Sequence, residues 1–264
     1  MDTKRIQTII DKEWAEVFKN RLVLFTVGFL PLVFTALPLG ILYGTRSLGV
    51  SSSDVSDLPP QILRACGAVS PVDCFQIYLM NQMLILFMLM PLIIPISIAA
   101  YSIVGEKTTH SLEPLLATPI TTLELLIAKS LSAVIPAILA TWGGFLIFAL
   151  ASPLVGASPA AFRAIFSPMW LLAVFVAGPL MAAIAVNFAV IISSRTSDPR
   201  VAEQVAAVLV LPLIAVVFGQ IAGVIVLNVQ FMLTAIVALA VLAVGLVYLG
   251  VRLFQRETIL TRWK

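Results

Sequence analysis

Long uncharged, apolar runs alternate with short charged segments along this chain. The runs lie between Arg21 and Arg46, Asp73 and Glu106, Lys129 and Arg163, Arg163 and Arg195, and Glu203 and Arg252. Because a helix needs about 20 apolar residues to cross a bilayer, each of the first four runs predicts one span. The last run is long enough for two spans that fold back at Asn228–Gln230. We therefore expect six spans, near 22–44, 78–104, 126–150, 168–192, 205–227 and 230–250.

The composition predicts the same class of protein. Hydrophobic residues make up 61% of the chain and charged residues 11%, with a mean hydropathy of +1.09. Soluble domains carry about a quarter charged residues, so the sequence predicts an all-α polytopic membrane protein. The longest polar segment, 45–77, is too short to build a core of its own. Residues 1–264 are therefore expected to form a single transmembrane domain.

The distribution of Lys and Arg predicts the orientation of the spans. With the N-terminus inside, only three of the 16 basic residues fall outside, at Arg46, Arg64 and Arg163. Cytoplasmic segments carry the excess of basic residues, so we expect both termini in the cytoplasm. The net charge of +3 then follows from topology and gives no reason to expect nucleic-acid binding. The first 21 residues mix acids and bases, which does not fit a cleavable signal peptide.

Residues 4–18 have the pattern of an amphipathic helix. Apolar side chains recur at steps of three and four, at Ile6, Ile9, Ile10, Trp14, Val17 and Phe18. Charged side chains occupy most of the other positions. We expect this helix to lie in the inner membrane interface, with Trp14 at the level of the lipid headgroups. The alternative is a helix that packs on a soluble partner.

The polar loop 105–124, between the second and third spans, carries two helix-start signals. Thr121 and Glu124 have the spacing of a capping box, in which each satisfies a free backbone N–H of the other. Upstream, Ser111 can cap a short helix that Pro119 ends, because proline cannot donate the next backbone hydrogen bond. The loop therefore predicts a short cytoplasmic helix that runs through Leu112, Leu115 and Leu116, and a loop that is structured in this way is expected to contact a partner.

The two cysteines, Cys66 and Cys74, both fall in the predicted outer loop 45–77. Thiols on that side of the membrane can oxidise, so we favour a disulfide that closes a small loop. Two free thiols are the alternative. The disulfide would be structural rather than catalytic.

Chemistry that would power or catalyse a reaction is missing from the sequence. The chain has no G-x-x-x-x-G-K-[ST] motif, so we expect no P-loop and no nucleotide hydrolysis by this chain alone. Its one histidine, His110, lies in the polar loop, and no Asp or Glu falls within a predicted span. Ion-coupled carriers usually need buried ionisable groups. We therefore expect energy for any active transport to come from a separate cytoplasmic motor.

Three segments together resemble permease subunits of type-2 ATP-binding-cassette (ABC) transporters. They are DKEWAEVFKNRLVL at 11–24, GEKTTHSLEPLLATPITTLELLIAKSL at 105–131 and the tail LFQRETILTRWK at 253–264. Thr109, His110 and Ser111 stand where the family usually has a basic residue followed by Gly-Thr. The resemblance implies a dimer of two permease copies or paralogues in a prokaryotic cell (inner) membrane. Each permease would dock one cytoplasmic ABC ATPase subunit, which binds ATP and Mg, so this chain needs no cofactor itself.

In that family the loop after the second span forms a coupling helix that seats in a groove of the ATPase. The resemblance therefore implies an ATPase-coupling set of Glu106, Lys107, Ser111, Leu112, Glu113, Leu115 and Leu116. The segment 4–18, with Trp14 and Phe18, resembles the connecting helix that runs along the inner surface beside the ATPase.

The acidic residues of the loop each have an ordinary explanation beside the functional one. Glu106 either forms a salt bridge or a helix cap at the interface that moves with the ATPase, or is a solvated loop charge near the lipid headgroups. Glu113 is explained by the dipole of a first helical turn, with an ATPase contact as the alternative. Glu124 is expected to act as a capping residue.

The residues and the resemblance together favour the permease subunit of an ATP-driven exporter, which moves an unidentified substrate. The alternative is a membrane scaffold or anchor that recruits a cytoplasmic partner without transport.

Overall fold

The computed structural model describes residues 3–17, 19, 21–47, 70–108, 121–196 and 198–253. Within these ranges the regular structure is entirely helical, and no strand occurs. Six of the helical segments are long and apolar enough to cross a membrane. The prediction of an all-α chain with six spans is thus confirmed.

The first half of the chain consists of four long helices. Helix α1 spans Thr3–Val17, α2 Arg21–Ser47, α3 Pro71–Thr108 and α4 Thr122–Val155. Helix α3 begins earlier and ends later than the predicted span 78–104, because Asp73, Glu106 and Lys107 belong to its first and last turns. Charged residues are compatible with helix ends that reach the headgroup region, so the uncharged run marks only the apolar middle of the helix.

The second half is built from shorter helices joined end to end. Helices α5 (Pro159–Ile165), α6 (Pro168–Leu172) and α7 (Gly178–Ser193) form the fourth candidate span together with a π-helix at Ala173–Ala177. Helices α8 (Pro199–Ala206) and α9 (Leu211–Ile221) form the fifth, with a 3₁₀ turn at Ala207–Val210 between them. Helix α10, Val229–Leu253, is the sixth.

Helix α3 lies at the centre of the bundle. It contacts α2, α4, α7 and α8, and 78% of the residues in its most apolar window are buried. The corresponding share is 11% for the fifth span and 17% for α10, which present most of their surface outward. Many of the exposed side chains along the middle of these outer helices are large and apolar, which suits surfaces that face lipid.

Aromatic rings fill the core where α3, α4 and α6 meet. The Trp170 ring stacks on Phe148 with centroids 5.7 Å apart, and the edge of Phe87 meets it at 5.8 Å. All three side chains are fully buried. The indole N–H of Trp170 donates to Asn81 Oδ1 at 3.3 Å, so its polar atom keeps a partner.

At the end of the bundle opposite the loop 105–124, which we call the outer end, one buried amide ties three helices together. Gln76 Nε2 on α3 donates to Thr45 Oγ1 on α2 at 3.2 Å and to the carbonyl oxygen of Gly156 after α4 at 3.3 Å. Gln76 Oε1 accepts the backbone N–H of Ser158 at 2.9 Å. Nearby, Cys74 is buried and disulfide-bonded. Cys66 lies outside the described residues, so its pairing with Cys74 stays a prediction.

The fourth span departs from α-helical geometry next to a proline. Pro179 has no N–H to donate, and one residue before it the N–H of Gly178 bonds to the Ala173 carbonyl, five residues back. Trp142 on α4 donates its indole N–H to the Val174 carbonyl at 3.2 Å. A side chain from the neighbouring helix therefore satisfies a carbonyl at the break.

The fifth and sixth spans are joined by a short turn. Helix α9 ends at Ile221, and Gly223 adopts φ 70°, a left-handed conformation that suits glycine. The N–H groups of Val224 and Ile225 both bond to the Gly219 carbonyl, and Asn228 Oδ1 accepts the Phe231 N–H at 2.7 Å. The chain does fold back between the fifth and sixth spans, but at 222–228, ahead of most of the predicted Asn228–Gln230, and these residues contain no helix of their own.

The adjacent glycines of α4 differ in what surrounds them, and this gives a testable prediction. A Cβ at Gly144 would lie 3.2 Å from Thr35 Oγ1 and 3.4 Å from Met90 Cε, whereas one at Gly143 has nothing within 4 Å. We expect Gly144→Val to destabilise the protein by about 1–3 kcal/mol, because the added methyls overpack the α2–α3–α4 contact. Thermal unfolding in detergent measures this, with Gly143→Val as the matched control. Equal melting temperatures for the two variants would contradict the packing assignment.

Candidate functional site

The predicted coupling segment lies largely beyond the part of the chain that is described. Glu106 and Lys107 are on the last turn of α3, and their side chains are not among those described. Ser111, Leu112, Glu113, Leu115 and Leu116 lie outside the described residues. The short helix in this loop therefore stays a prediction, and the site is defined by the helices on either side of it.

The chain leaves the loop through a capped helix start. Thr121 has extended backbone angles, φ −77° and ψ 149°, and its Oγ1 accepts the Glu124 N–H at 3.2 Å. The Thr121 N–H donates in turn to Glu124 Oε2 at 3.0 Å. The predicted capping box is confirmed. Glu124 is buried, so it acts at the helix start rather than as an exposed contact for a partner.

Helix α1 packs along the first turns of α4. Ile6 and Ile9 are buried against Leu125 and Ala128. Leu125, in the first turn of α4, thus contacts α1. The apolar side of α1 is therefore covered, at least in part, by protein.

Trp14 adds a directed contact between the same two helices. Its indole N–H donates to the backbone carbonyl of Ser132 on α4 at 3.0 Å, and its ring is half-buried. The predicted headgroup position of Trp14 stays a prediction, but its polar atom has a partner within the protein. Phe18 lies outside the described residues.

Three polar side chains from different helices meet at the end of the bundle that carries the loop 105–124, which we call the inner end. Lys129 Nζ on α4 lies 2.8 Å from Glu13 Oε1 on α1 and 3.0 Å from Ser102 Oγ on α3. The Ser102 hydroxyl also donates to Glu13 Oε2. The side chains of Glu13 and Lys129 are 1% and 5% exposed. We call Glu13, Ser102 and Lys129 the inner triad.

The inner triad was missed by sequence reasoning, although half of its signal was visible. Glu13 continues the spacing of Ile6, Ile9 and Val17, so it lies on the buried side of α1 rather than the charged side. A carboxylate on the apolar side of a helix indicates a buried partner, because isolated charges are not buried. The sequence offers no comparable signal for Lys129, which the positive-inside bias explained, or for Ser102.

A second carboxylate lies between the fifth span and α3. Glu203 on α8 is half-buried and accepts the hydroxyl hydrogen of Ser97, which is fully buried. Helix α8 starts at Pro199, where Asp198 caps the Arg200 N–H at 2.8 Å, so Glu203 falls inside the candidate span Pro199–Ile221. The expectation of spans without acidic residues is therefore wrong at the helix ends, since the helices extend beyond their uncharged runs.

The described side chains offer no arrangement for metal chemistry. Among them, no three His, Cys, Asp or Glu residues lie together as a metal site would require. Six apolar helical segments, with α3 the most buried of them, define a polytopic helical membrane protein.

A family model narrows this class. The model described as "ABC-2 family transporter protein" matches residues 7–234, which include five of the six candidate spans and the start of α10. The chain belongs to the ABC-2 type transporter permease family, whose members are membrane components and not themselves P-loop ATPases. A search of curated proteins finds no match to the chain.

The capping box at the entry to α4 can be tested by hydrogen exchange. We expect Thr121→Ala to cost about 1 kcal/mol at the helix start and so to speed exchange of the first amides of α4 about fivefold. Ser158→Ala is the matched control, because Ser158 caps α5 by accepting the Ala161 N–H at 3.2 Å. It should speed exchange at α5 and leave α4 unchanged. Unaltered exchange at residues 122–125 in Thr121→Ala would show that the cap does not hold this end.

Proposed function

We propose that this protein is the membrane-spanning permease subunit of an ATP-driven ABC exporter. The match of residues 7–234 to the ABC-2 transporter family carries this proposal, and the six apolar helices agree with it. The substrate is unidentified. Export is the direction that the family resemblance implies.

The loop 105–124 is the proposed docking site for a separate ATPase. The sequence contains no P-loop, so a permease of this family needs a partner that binds ATP and Mg. Support comes from both ends of the loop, since α3 continues to Thr108 and α4 begins at Thr122, where Thr121 caps it. A loop with ordered helices at both ends can transmit a partner's displacement into the bundle instead of absorbing it.

The remaining parts of the proposal concern assembly and location. A second permease copy or a paralogue completes the pathway, as the family resemblance implies. The outward apolar surfaces of α2, the fifth span and α10 suit contact with lipid and with such a second subunit. We place the complex in a prokaryotic inner membrane with both termini in the cytoplasm, following the distribution of basic residues.

Affinity purification from the native membrane tests the proposal directly. Co-elution of a P-loop ATPase at constant stoichiometry, with hydrolysis that vanadate inhibits, is the expected result. Elution of the chain from mild detergent without any ATPase would overturn it and favour the scaffold alternative.

The docking site itself is tested by a single charge. We expect Leu115→Asp to reduce the amount of co-purified ATPase about tenfold or more, because a carboxylate in an apolar groove leaves a buried unpaired charge. The variant should still insert into the membrane at the parent level. Leu58→Asp, the same change in the predicted outer loop, is the matched control and should keep the ATPase. Full co-purification with Leu115→Asp would show that the ATPase docks elsewhere.

A further inference from the structure

The inner triad sits where three otherwise separate segments converge. Glu13 comes from α1, Ser102 from α3 a short distance before the loop, and Lys129 from α4 a short distance after it. Ser102 and Lys129 therefore lie on either side of the proposed docking loop, and both contact Glu13 on α1.

Apolar contacts already hold α1 against α4, so the triad is not needed for attachment alone. Ile6, Ile9, Leu125 and Ala128 bury one another beside it. Replacing a buried ion pair by apolar residues is often neutral or stabilising in proteins. Ionisable groups are also rare within membrane-spanning helices and tend to mark function there. The buried charge pair therefore points to a role beyond adhesion.

What an ion pair adds to apolar contact is a defined position. The carboxylate of Glu13 receives Lys129 Nζ on one oxygen and the Ser102 hydroxyl on the other. Hydrogen bonds weaken steeply with angle and distance, so this arrangement fits one register of α1 against α3 and α4. Trp14, which bonds the Ser132 carbonyl, fixes the same register one residue further on.

An exposed ion pair on the same helix provides the contrast. Lys12 and Glu16 are 3.7 Å apart, and their side chains are 35% and 57% exposed. Pairs of this kind contribute little, because water and salt screen them. Glu13 and Glu16 thus lie on the same helix and are the same type of residue, but Glu13 is buried and Glu16 is exposed.

We propose that Glu13, Ser102 and Lys129 are positioning residues that lock α1 to the inner ends of α3 and α4, so that the three move as one block with the docking loop. The proposal deepens the proposed function, because it assigns to α1 a share of the ATPase's displacement. Without the triad, α1 stays attached through its apolar side but slides, and the displacement is not passed on to it.

The experiment combines distance measurement with an ATPase assay. Spin labels at Asp11→Cys on α1 and Leu139→Cys on α4, both exposed positions, report the placement of α1. Cys74 is disulfide-bonded and does not take the label. The labelled parent is compared with Glu13→Gln, with Lys129→Met and with the exchanged pair Glu13→Lys/Lys129→Glu. Glu16→Gln is the matched control.

We expect one narrow distance distribution in the parent and the control, and a broad one in each single variant. The exchanged pair should restore the narrow distribution, because the Ser102 hydroxyl can donate to a carboxylate or accept from an ammonium. In the complex, the single variants should keep the co-purified ATPase. The change in ATPase rate that the permease causes should fall about fivefold or more, and return with the exchanged pair.

Two results would overturn the proposal. One is a narrow distribution and an unchanged ATPase response in both single variants. The other is full recovery of the ATPase response in the double variant Glu13→Leu/Lys129→Leu. That result would show that the triad contributes only packing. It can be obtained even where the single variants fold poorly. If the parent retains no ATPase, the proposed function fails, and the spin-label distances in the permease alone still decide whether the triad fixes α1.

Discussion

The structure depends on one constraint, that backbone N–H and C=O groups in a bilayer must find partners within the protein. Helices satisfy it along most of the described chain. At two positions the regular helical hydrogen bonding is interrupted, and nearby groups supply the missing partners. Trp142 donates to the Val174 carbonyl beside the π-helix, and the Gly219 carbonyl accepts two N–H groups at the turn after α9. Breaks of this kind mark places where helix geometry can change without exposing backbone to lipid.

The same constraint separates the two ends of the bundle from its middle. The middle is filled by apolar and aromatic side chains such as Phe87, Phe148 and Trp170. Polar side chains gather at the ends, where they bridge helices. The outer end is tied by the neutral amide of Gln76, and the inner end by the charged pair of Glu13 and Lys129. Removing one partner from a buried charged pair costs more than removing one from a neutral pair, so under our proposal the inner end holds its helices in the more strongly defined register.

Sequence reasoning succeeded where a pattern depends on neighbouring residues. The uncharged runs located all six helices, and the spacing of Thr121 and Glu124 gave the capping box. It failed for charged residues whose role depends on partners that are distant in the sequence but close in the folded protein. Glu203 was placed outside a span because a charge was taken as a boundary, and Glu13 was counted among the charged positions outside the apolar pattern of α1. Both carboxylates have partners more than 80 residues away in the chain, at Ser97, Ser102 and Lys129, and no local pattern encodes such a pairing.

Because the helices of the bundle are packed unevenly, a motion that begins at the inner end would move some helices together and others separately. Helices α1, α3 and α4 are joined by apolar contacts and by the inner triad, while the fifth span and α10 bury only a small share of their residues. A displacement applied to the proposed docking loop would therefore move the first group as a body. The fifth span is held to α3 at its inner end by Glu203 and Ser97 and carries a 3₁₀ turn just beyond, at Ala207–Val210. Under the proposed function, relative movement would then concentrate between a block that contains the docking loop and outer helices that slide on lipid or on a second subunit.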